Sequence, residues 1–114
     1  MTIQRDYILR LMEVLAKAIA RVVGLRNRGS LEEGKAELDG AAKSLLGVEL
    51  ELLEAVGPGP IAAQLGYPEK VDALARLVDE RVALERAGGD EAAAARWATT
   101  AKTLRSWAAS TGPS

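Results

Sequence analysis

Apolar side chains recur every three or four residues along most of this chain, with polar side chains between them. Over residues 3–28 this spacing gives one wide apolar stripe on a helix of about seven turns. The pattern therefore predicts a long amphipathic first helix. Its stripe consists of Ile8, Leu11, Met12, Leu15, Ala18, Ile19, Val22 and Val23.

Three further segments show the same periodicity. Residues 31–46 form the second predicted helix, and Pro68 begins a third that runs to Ala87. Proline suits the first position of a helix, where its missing N–H has no intrahelical partner. A fourth helix follows Asp90 and ends near Ala109. The chain is thus expected to contain four main helices.

The segment between the second and third main helices is harder to assign. Residues 48–56 alternate in a way that fits a short strand, but leucines on both sides and the lack of a partner strand favour a short helix. The sequence GPGP at 57–60 breaks the chain, and a brief helical turn is predicted at 61–65. One or two short helices are therefore expected in residues 48–66.

A corner between the first two helices is predicted at Gly29. Glycine suits the left-handed position just past a helix end, and Ser30 with Glu33 has the spacing of a capping box. We interpret Gly29 as this corner rather than as a hinge beside a ligand. Gly34 lies inside the second helix, and we predict a close approach to the first helix there.

Composition narrows the classes of protein. The chain has 114 residues, a net charge of −1, and neither cysteine nor histidine. Disulfides and thiolate metal sites are thereby excluded, and the usual general base at neutral pH is missing. No apolar run has the length of a membrane span or a signal-peptide core. We expect a single cytoplasmic helical domain over residues 1–110 and a disordered tail over 111–114.

Carboxylates are the only plentiful candidates for chemistry. Glu49, Glu51 and Glu54 cluster on the predicted short helix, with Glu32, Glu33, Glu37 and Asp39 before them in the chain. These residues lack the spacing of a calcium loop, and the chain contains no phosphate-binding motif. A solvated acidic face explains them better than a metal site. Tyr7 and Tyr67 could in principle donate protons in a reaction, but we expect each to anchor the edge of the core instead. We predict no catalytic, metal or cofactor residues, no small-molecule substrate, and hence no enzyme.

Charge is distributed unevenly along the chain. Residues 1–28 carry six basic and two acidic side chains, a net charge of +4, whereas residues 29–57 carry two basic and seven acidic side chains, a net charge of −5. A basic stripe on the first helix could bind an anionic membrane, or it could pack beside its acidic neighbour, which we prefer. Nucleic acid is not expected, because only four residues are aromatic. The stripe consists of Arg10, Lys17, Arg21 and Arg28.

Two tryptophans lie on the last helix. Trp97 belongs to the predicted buried seam, and Trp107 lies about 80° around the helix from it, on the flank of that seam. A tryptophan in this position can contact a partner subunit, and ordinary packing is an equal alternative. Together with Tyr7 and the four basic residues of the stripe, Trp107 is a predicted partner contact.

A weak internal repeat accompanies these helices. Shifting the chain by 59 residues aligns Gly29 with Gly88, Leu38 with Trp97, and several alanines and leucines. This alignment predicts that each half of the chain forms an antiparallel helical hairpin. Each hairpin resembles a tetratricopeptide unit, with a glycine at the turn and small residues such as Ala41 or Ala101 after it. This resemblance implies repeat-like packing of the two hairpins.

The chain over residues 5–105 also resembles a family of short uncharacterised bacterial proteins that are all-helical. The resemblance rests on RDYILRLMEVLAKAIARVVGL, LLGVELELLEAV and GDEAAAARWATTAKTL. It implies the architecture and no activity. The sequence thus predicts an all-α, non-enzymatic module for protein–protein interaction, with a homodimer as one form. The alternative is peripheral binding to an anionic membrane through the first helix, although a membrane partner is less expected than a protein.

Overall fold

Helices account for nearly all of the chain. The computed structural model describes the backbone of residues 2–111 and the side chains of residues 5–110. This part of the chain forms six helices and no strand, so the predicted all-α class is confirmed. The helices are α1 (Thr2–Asn27), α2 (Leu31–Leu46), α3 (Leu50–Val56), α4 (Pro58–Leu65), α5 (Pro68–Ala87) and α6 (Glu91–Thr111).

The ambiguous segment 48–56 contains the helix α3, as favoured. The predicted break at 57–60 was too long, because Pro58 already begins α4, three residues before the predicted helical turn. Leucines on two sides of α3 are explained by its position, because one side is buried and the other is exposed. The last helix extends to Thr111, two residues beyond its predicted end. Residues 112–114 of the predicted disordered tail lie outside the described residues.

The most extensive helix contacts are those of α5 with α6 and of α1 with α2. Arg21 of α1 bonds to Glu37 of α2 at 2.8 Å, and Asp79 of α5 pairs with Arg105 of α6. In each pair a short turn joins the end of the first helix to the start of the second, and these contacts lie several residues from that turn on both helices. Both pairs therefore run antiparallel. This pairing is consistent with the two predicted hairpins.

Helix α5 lies at the centre of the core. It contacts α1, α2, α4 and α6, and it buries side chains on several of its faces. Full burial of one leucine or valine contributes about 1.5–3 kcal/mol of transfer free energy, so the buried side chains of α5 contribute strongly to stability. Its fully buried side chains are Val71, Leu74, Leu77, Val78 and Leu84.

The corner at Gly29 has the predicted geometry. Gly29 has φ +78°, its N–H donates to the Arg26 carbonyl at 3.0 Å, and the Ser30 N–H donates to the Leu25 carbonyl at 2.9 Å. This is a Schellman motif, which satisfies the last carbonyls of α1. The predicted capping box at Ser30 and Glu33 was wrong, because the Ser30 side chain makes no capping hydrogen bond. The Ser30 N–H already donates to the Leu25 carbonyl, so the Glu33 side chain has no free N–H to accept from at Ser30.

The same motif recurs at the other hairpin, one residue away from the predicted alignment. Gly89 has φ +84°, and the Asp90 N–H donates to the Glu85 carbonyl at 2.9 Å. Gly89, rather than Gly88, is therefore the structural counterpart of Gly29. Here the side chain does cap the next helix, because Asp90 Oδ1 accepts from the Ala93 N–H at 3.0 Å.

Candidate functional site

A groove opens where α2 ends and α5 begins, and α3 and α4 complete its walls. It encloses about 720 Å³, within the range of volumes typical of ligand-binding clefts. Its lining is mixed, because five aliphatic side chains alternate with four polar or charged ones, and Gly47 completes it. The lining residues are Lys43, Leu46, Gly47, Val48, Glu49, Leu52, Ile61, Gln64, Leu65 and Lys70.

Two glycines shape the groove. Gly47 has φ +68°, so the chain reverses after α2, and Val48 is placed inward and buried. Gly66 has φ +80° and ends α4 just before α5 begins. Both conformations lie in the left-handed region that favours glycine. The short helices between these two turns are thereby held against the ends of the long ones.

The floor of the groove is buried, but its α3 wall is exposed. Val48 and Ile61 are buried in the core cluster. Leu52 of α3 is 43% exposed, and Val56, four residues later on the same helix, is 52% exposed. Residues four apart lie on one face of a helix, so Val56 continues the apolar surface beyond the groove. Large apolar side chains with this exposure are typical of surfaces that another molecule covers.

Lys70 forms the opposite edge of the groove, between two tyrosine rings. Its ammonium lies 5.3 Å from the ring centre of Tyr7 and 5.3 Å from that of Tyr67. Both distances are within the range of cation–π attraction. Both tyrosines are nearly half exposed. We call Lys70, Tyr7 and Tyr67 the tyrosine rim; it joins α1 to the start of α5.

The residues of the first helix that were predicted to contact a partner lie in different surroundings. Tyr7 lies at the groove, in the tyrosine rim. Arg21 bonds to Glu37 of α2, as expected for a basic helix beside an acidic neighbour. Arg10, Lys17 and Arg28 are exposed, and none has a carboxylate within ion-pair distance among the described side chains. Those three cations are therefore available to solvent.

Trp107 lies far from the groove in the chain, near the end of α6. It is half-buried and packs against the core cluster together with Ala108. Trp97, by contrast, is buried in the seam, and the Arg81 guanidinium lies 5.0 Å from its ring centre. Core packing accounts for the buried part of Trp107, and a partner contact through its exposed part stays a prediction.

A second group of charged residues lies between α2 and α5. Glu85 is 7% exposed; its carboxylate accepts a hydrogen bond from Arg81 Nε at 2.8 Å and lies 3.3 Å from Lys35 Nζ. Asp39 Oδ1 lies 3.7 Å from Arg81 Nη1 and makes no hydrogen bond with any described residue. We call Glu85, Arg81, Lys35 and Asp39 the buried ion cluster.

The two carboxyl groups of this cluster are shifted in opposite directions. Burial raises the pKa of Asp39, with repulsion by Glu51 adding to the effect and attraction by Arg81 and Lys35 opposing it. Burial would also raise the pKa of Glu85, but hydrogen bonds and charges from Arg81 and Lys35 together lower it below its ordinary value. The cluster joins α2 to α5, and Asp39 lines a smaller cavity together with Lys43 and Glu49 of the groove.

The acidic residues that were candidates for chemistry are mostly paired with single cations. Glu49 lies 3.7 Å from Lys43, and Glu54 accepts a hydrogen bond from Arg96 at 3.3 Å. Among the described residues, no group of three or more acidic side chains is placed to hold a metal ion.

None of the described helices combines the length and apolar character needed to span a membrane. In comparisons with known proteins, no family model, curated protein or solved structure matches the chain. The resemblances to tetratricopeptide units and to bacterial helical proteins therefore stay predictions.

The groove itself was not predicted from the sequence, although some signals were present. The leucines on both sides of α3 indicated an exposed apolar residue there, and this residue is Leu52. Lys70 gave no signal, because its position between Tyr7 and Tyr67 joins parts of the chain 60 residues apart.

Proposed function

We propose that this protein is a non-enzymatic interaction module that binds a protein partner in the groove between α2, α3, α4 and α5. One observation carries the proposal: Leu52 lines the groove, Val56 continues its apolar surface along α3, and two half-exposed tyrosines lie beside Lys70, which also lines the groove. Tyrosine and large aliphatic side chains are typical of the centres of protein interfaces. A cytoplasmic location belongs to the same proposal.

The arrangement of helices supports this function. Antiparallel pairs α1–α2 and α5–α6 contact each other through α5, as stacked tetratricopeptide-like hairpins would. Repeat proteins of this kind use surfaces formed by adjacent repeats to bind other proteins. The groove lies at the junction of the two pairs, where α2 ends and α5 begins.

The test is a comparison of three immobilised proteins exposed to the same cell extract: the wild type, Leu52→Glu and Leu9→Glu. Leu52 and Leu9 are both exposed leucines. Leu9 lies two positions after Tyr7, which places it on the opposite side of α1 and makes it a matched control. Glutamate at Leu52 would put a charge in the apolar wall without entering the core.

We expect the wild type and Leu9→Glu to retain the same protein, and Leu52→Glu to lose it. Retention by Leu52→Glu at the wild-type level would contradict the groove as the binding site. Self-association is measured in parallel as the molecular mass over a concentration series. A dimer that Leu52→Glu converts to a monomer would identify a second copy as the partner.

A second candidate function, peripheral binding to an anionic membrane, is favoured by Arg10 and Lys17. Both cations are exposed on α1 near Val14, which is 41% exposed. Flotation with vesicles that contain phosphatidylserine, at low and high salt, tests it. Binding at low salt that Arg10→Glu with Lys17→Glu abolishes would support this function, and no binding at low salt would refute it.

A further inference from the structure

The charges around the groove indicate what kind of partner segment it accepts. Lys70 lines the groove, and its ammonium has two tyrosine rings but no carboxylate within ion-pair distance among the described side chains. Arg10 lies one turn after Tyr7 on α1 and is equally without a carboxylate. Lys70 and Arg10 therefore offer positive charge at the tyrosine rim that no described carboxylate pairs with directly.

The opposite edge is nearly neutral. Lys43 and Glu49 both line the groove, and their charged atoms lie 3.7 Å apart. The positive charge of Lys43 is thereby offset, whereas that of Lys70 is not. A carboxylate in the partner would gain most beside Lys70, where the apolar faces of two tyrosines reduce its exposure to water.

The backbone around the groove limits the conformations that a bound segment of the partner could adopt. Its walls are helices, so within the described residues it offers no strand edge to which an extended peptide could add. Affinity must come from side chains that enter the aliphatic floor. An amphipathic helix provides such side chains at spacings of three and four along one face.

Resting on the proposed function, we propose that the groove binds an acidic amphipathic helix of the partner protein. The apolar side chains of that helix would pack on Leu46, Leu52 and Leu65, and a carboxylate beside its apolar stripe would pair with Lys70. The tyrosine rim would thus select the charge of the partner, while the three leucines would supply most of the apolar area that the partner buries.

The test uses two synthetic helical peptides of about four turns with an identical leucine stripe. One carries glutamate beside the stripe and the other carries lysine. Each is titrated into the isotope-labelled full-length protein, and the dissociation constant and the shifted amide resonances are recorded. The protein variants are Lys70→Glu and, as a matched control, Lys102→Glu, which changes an exposed lysine of α6.

We expect the acidic peptide to bind about tenfold more tightly than the basic one and to shift resonances of residues 46–53 and 61–70. Lys70→Glu should reverse this preference, and Lys102→Glu should preserve it. Equal affinity for the two peptides, or shifts confined to other residues, would overturn the inference.

The proposed function can survive failure of this inference. If neither peptide binds while a protein from the extract is still lost with Leu52→Glu, the groove binds proteins, but not through an acidic helix. Shifts of the groove resonances caused by dilution alone, or by phosphatidylserine vesicles in place of the peptide, would also overturn the acidic-helix proposal. They would identify a second copy or a lipid surface as the occupant.

Discussion

Gly34 of α2 lies directly against Leu84 of α5. A Cβ atom added to Gly34 would stand 2.8 Å from Leu84 Cδ2 and 3.8 Å from Leu25 Cβ of α1. The close approach expected at this glycine is therefore real, but its nearest contact is with α5 rather than with α1. The contact joins the two helix pairs at the end of the molecule remote from the groove.

The Gly34–Leu84 contact predicts opposite effects of two alanine substitutions on α2. Gly34→Ala gains about 1 kcal/mol of helix propensity but must displace the fully buried Leu84, and overpacking of this kind costs about 1–3 kcal/mol. We expect a net loss of about 1 kcal/mol in the free energy of unfolding. Gly40→Ala, with nothing within 4 Å of the added Cβ, should gain about 1 kcal/mol. Urea denaturation measures both; equal effects would show that Leu84 does not constrain Gly34.

Truncation of the residue that precedes each helix should affect the free energy of unfolding differently for α2, which Ser30 precedes, and for α6, which Asp90 precedes. Asp90→Ala removes the hydrogen bond to the Ala93 N–H and should lower the free energy of unfolding by about 1 kcal/mol. Ser30→Ala should change it by less than about 0.5 kcal/mol, because the Ser30 side chain caps nothing. Thermal unfolding followed by circular dichroism compares them, and a larger loss for Ser30→Ala would contradict the observed caps.

Among the described charged residues, substitution of Glu85 should lower the free energy of unfolding most. Glu85→Gln leaves Arg81 and Lys35 without their buried partner, and a loss of about 3 kcal/mol at pH 7 is expected. Glu32→Gln is the matched control, because Glu32 also pairs with Lys35 but its side chain is 90% exposed. We expect no measurable change for this control. A similar loss for both variants would show that the burial of Glu85 contributes nothing.

The lowered pKa of Glu85 fixes the direction of its pH dependence. Its contribution to stability is present above the ordinary value of 4.5 and is lost as the pH falls through the lower pKa of the folded state. The difference between the wild type and Glu85→Gln should therefore shrink on acidification. Denaturation at pH 7 and at a series of lower pH values measures it; a difference that grew in acid would contradict the assignment.

Asp39 should behave in the opposite way. Its pKa is raised, so its contribution is fully present below the ordinary value of 3.8 and is lost as the pH rises through the raised pKa. Asp39→Asn should accordingly gain stability relative to the wild type between pH 3 and pH 7. The same denaturation series tests this expectation, and a relative loss over that interval would show that attraction by Arg81 outweighs burial.

Local signals in the sequence were sufficient for the helices. Periodic apolar residues located α1, α2, α5 and α6, and Pro68 marked the first residue of α5 as the structure has it. These features depend on side-chain spacing and on backbone preferences within a few residues. The all-α class followed from them directly.

Contacts between distant segments could not be inferred in this way. The Glu33 half of the capping box failed because a Schellman motif uses the Ser30 amide; the motif does not explain the missing Ser30 side-chain bond, since Asp90 caps α6 beside the same motif. The Lys70 contact with Tyr7 depends on how α1 and α5 pack together. Periodicity identified Tyr7 only as a candidate, and the groove became visible only when the helices were packed.

Hydrogen exchange of the protein with and without a retained partner tests the groove most directly. Amide protection on binding reports which backbone segments the partner covers or stabilises. We predict added protection in residues 46–53 and 61–70, with little change in the second half of α1. Protection confined to residues 10–27 of α1 or to the end of α6, with none at the groove, would contradict the account.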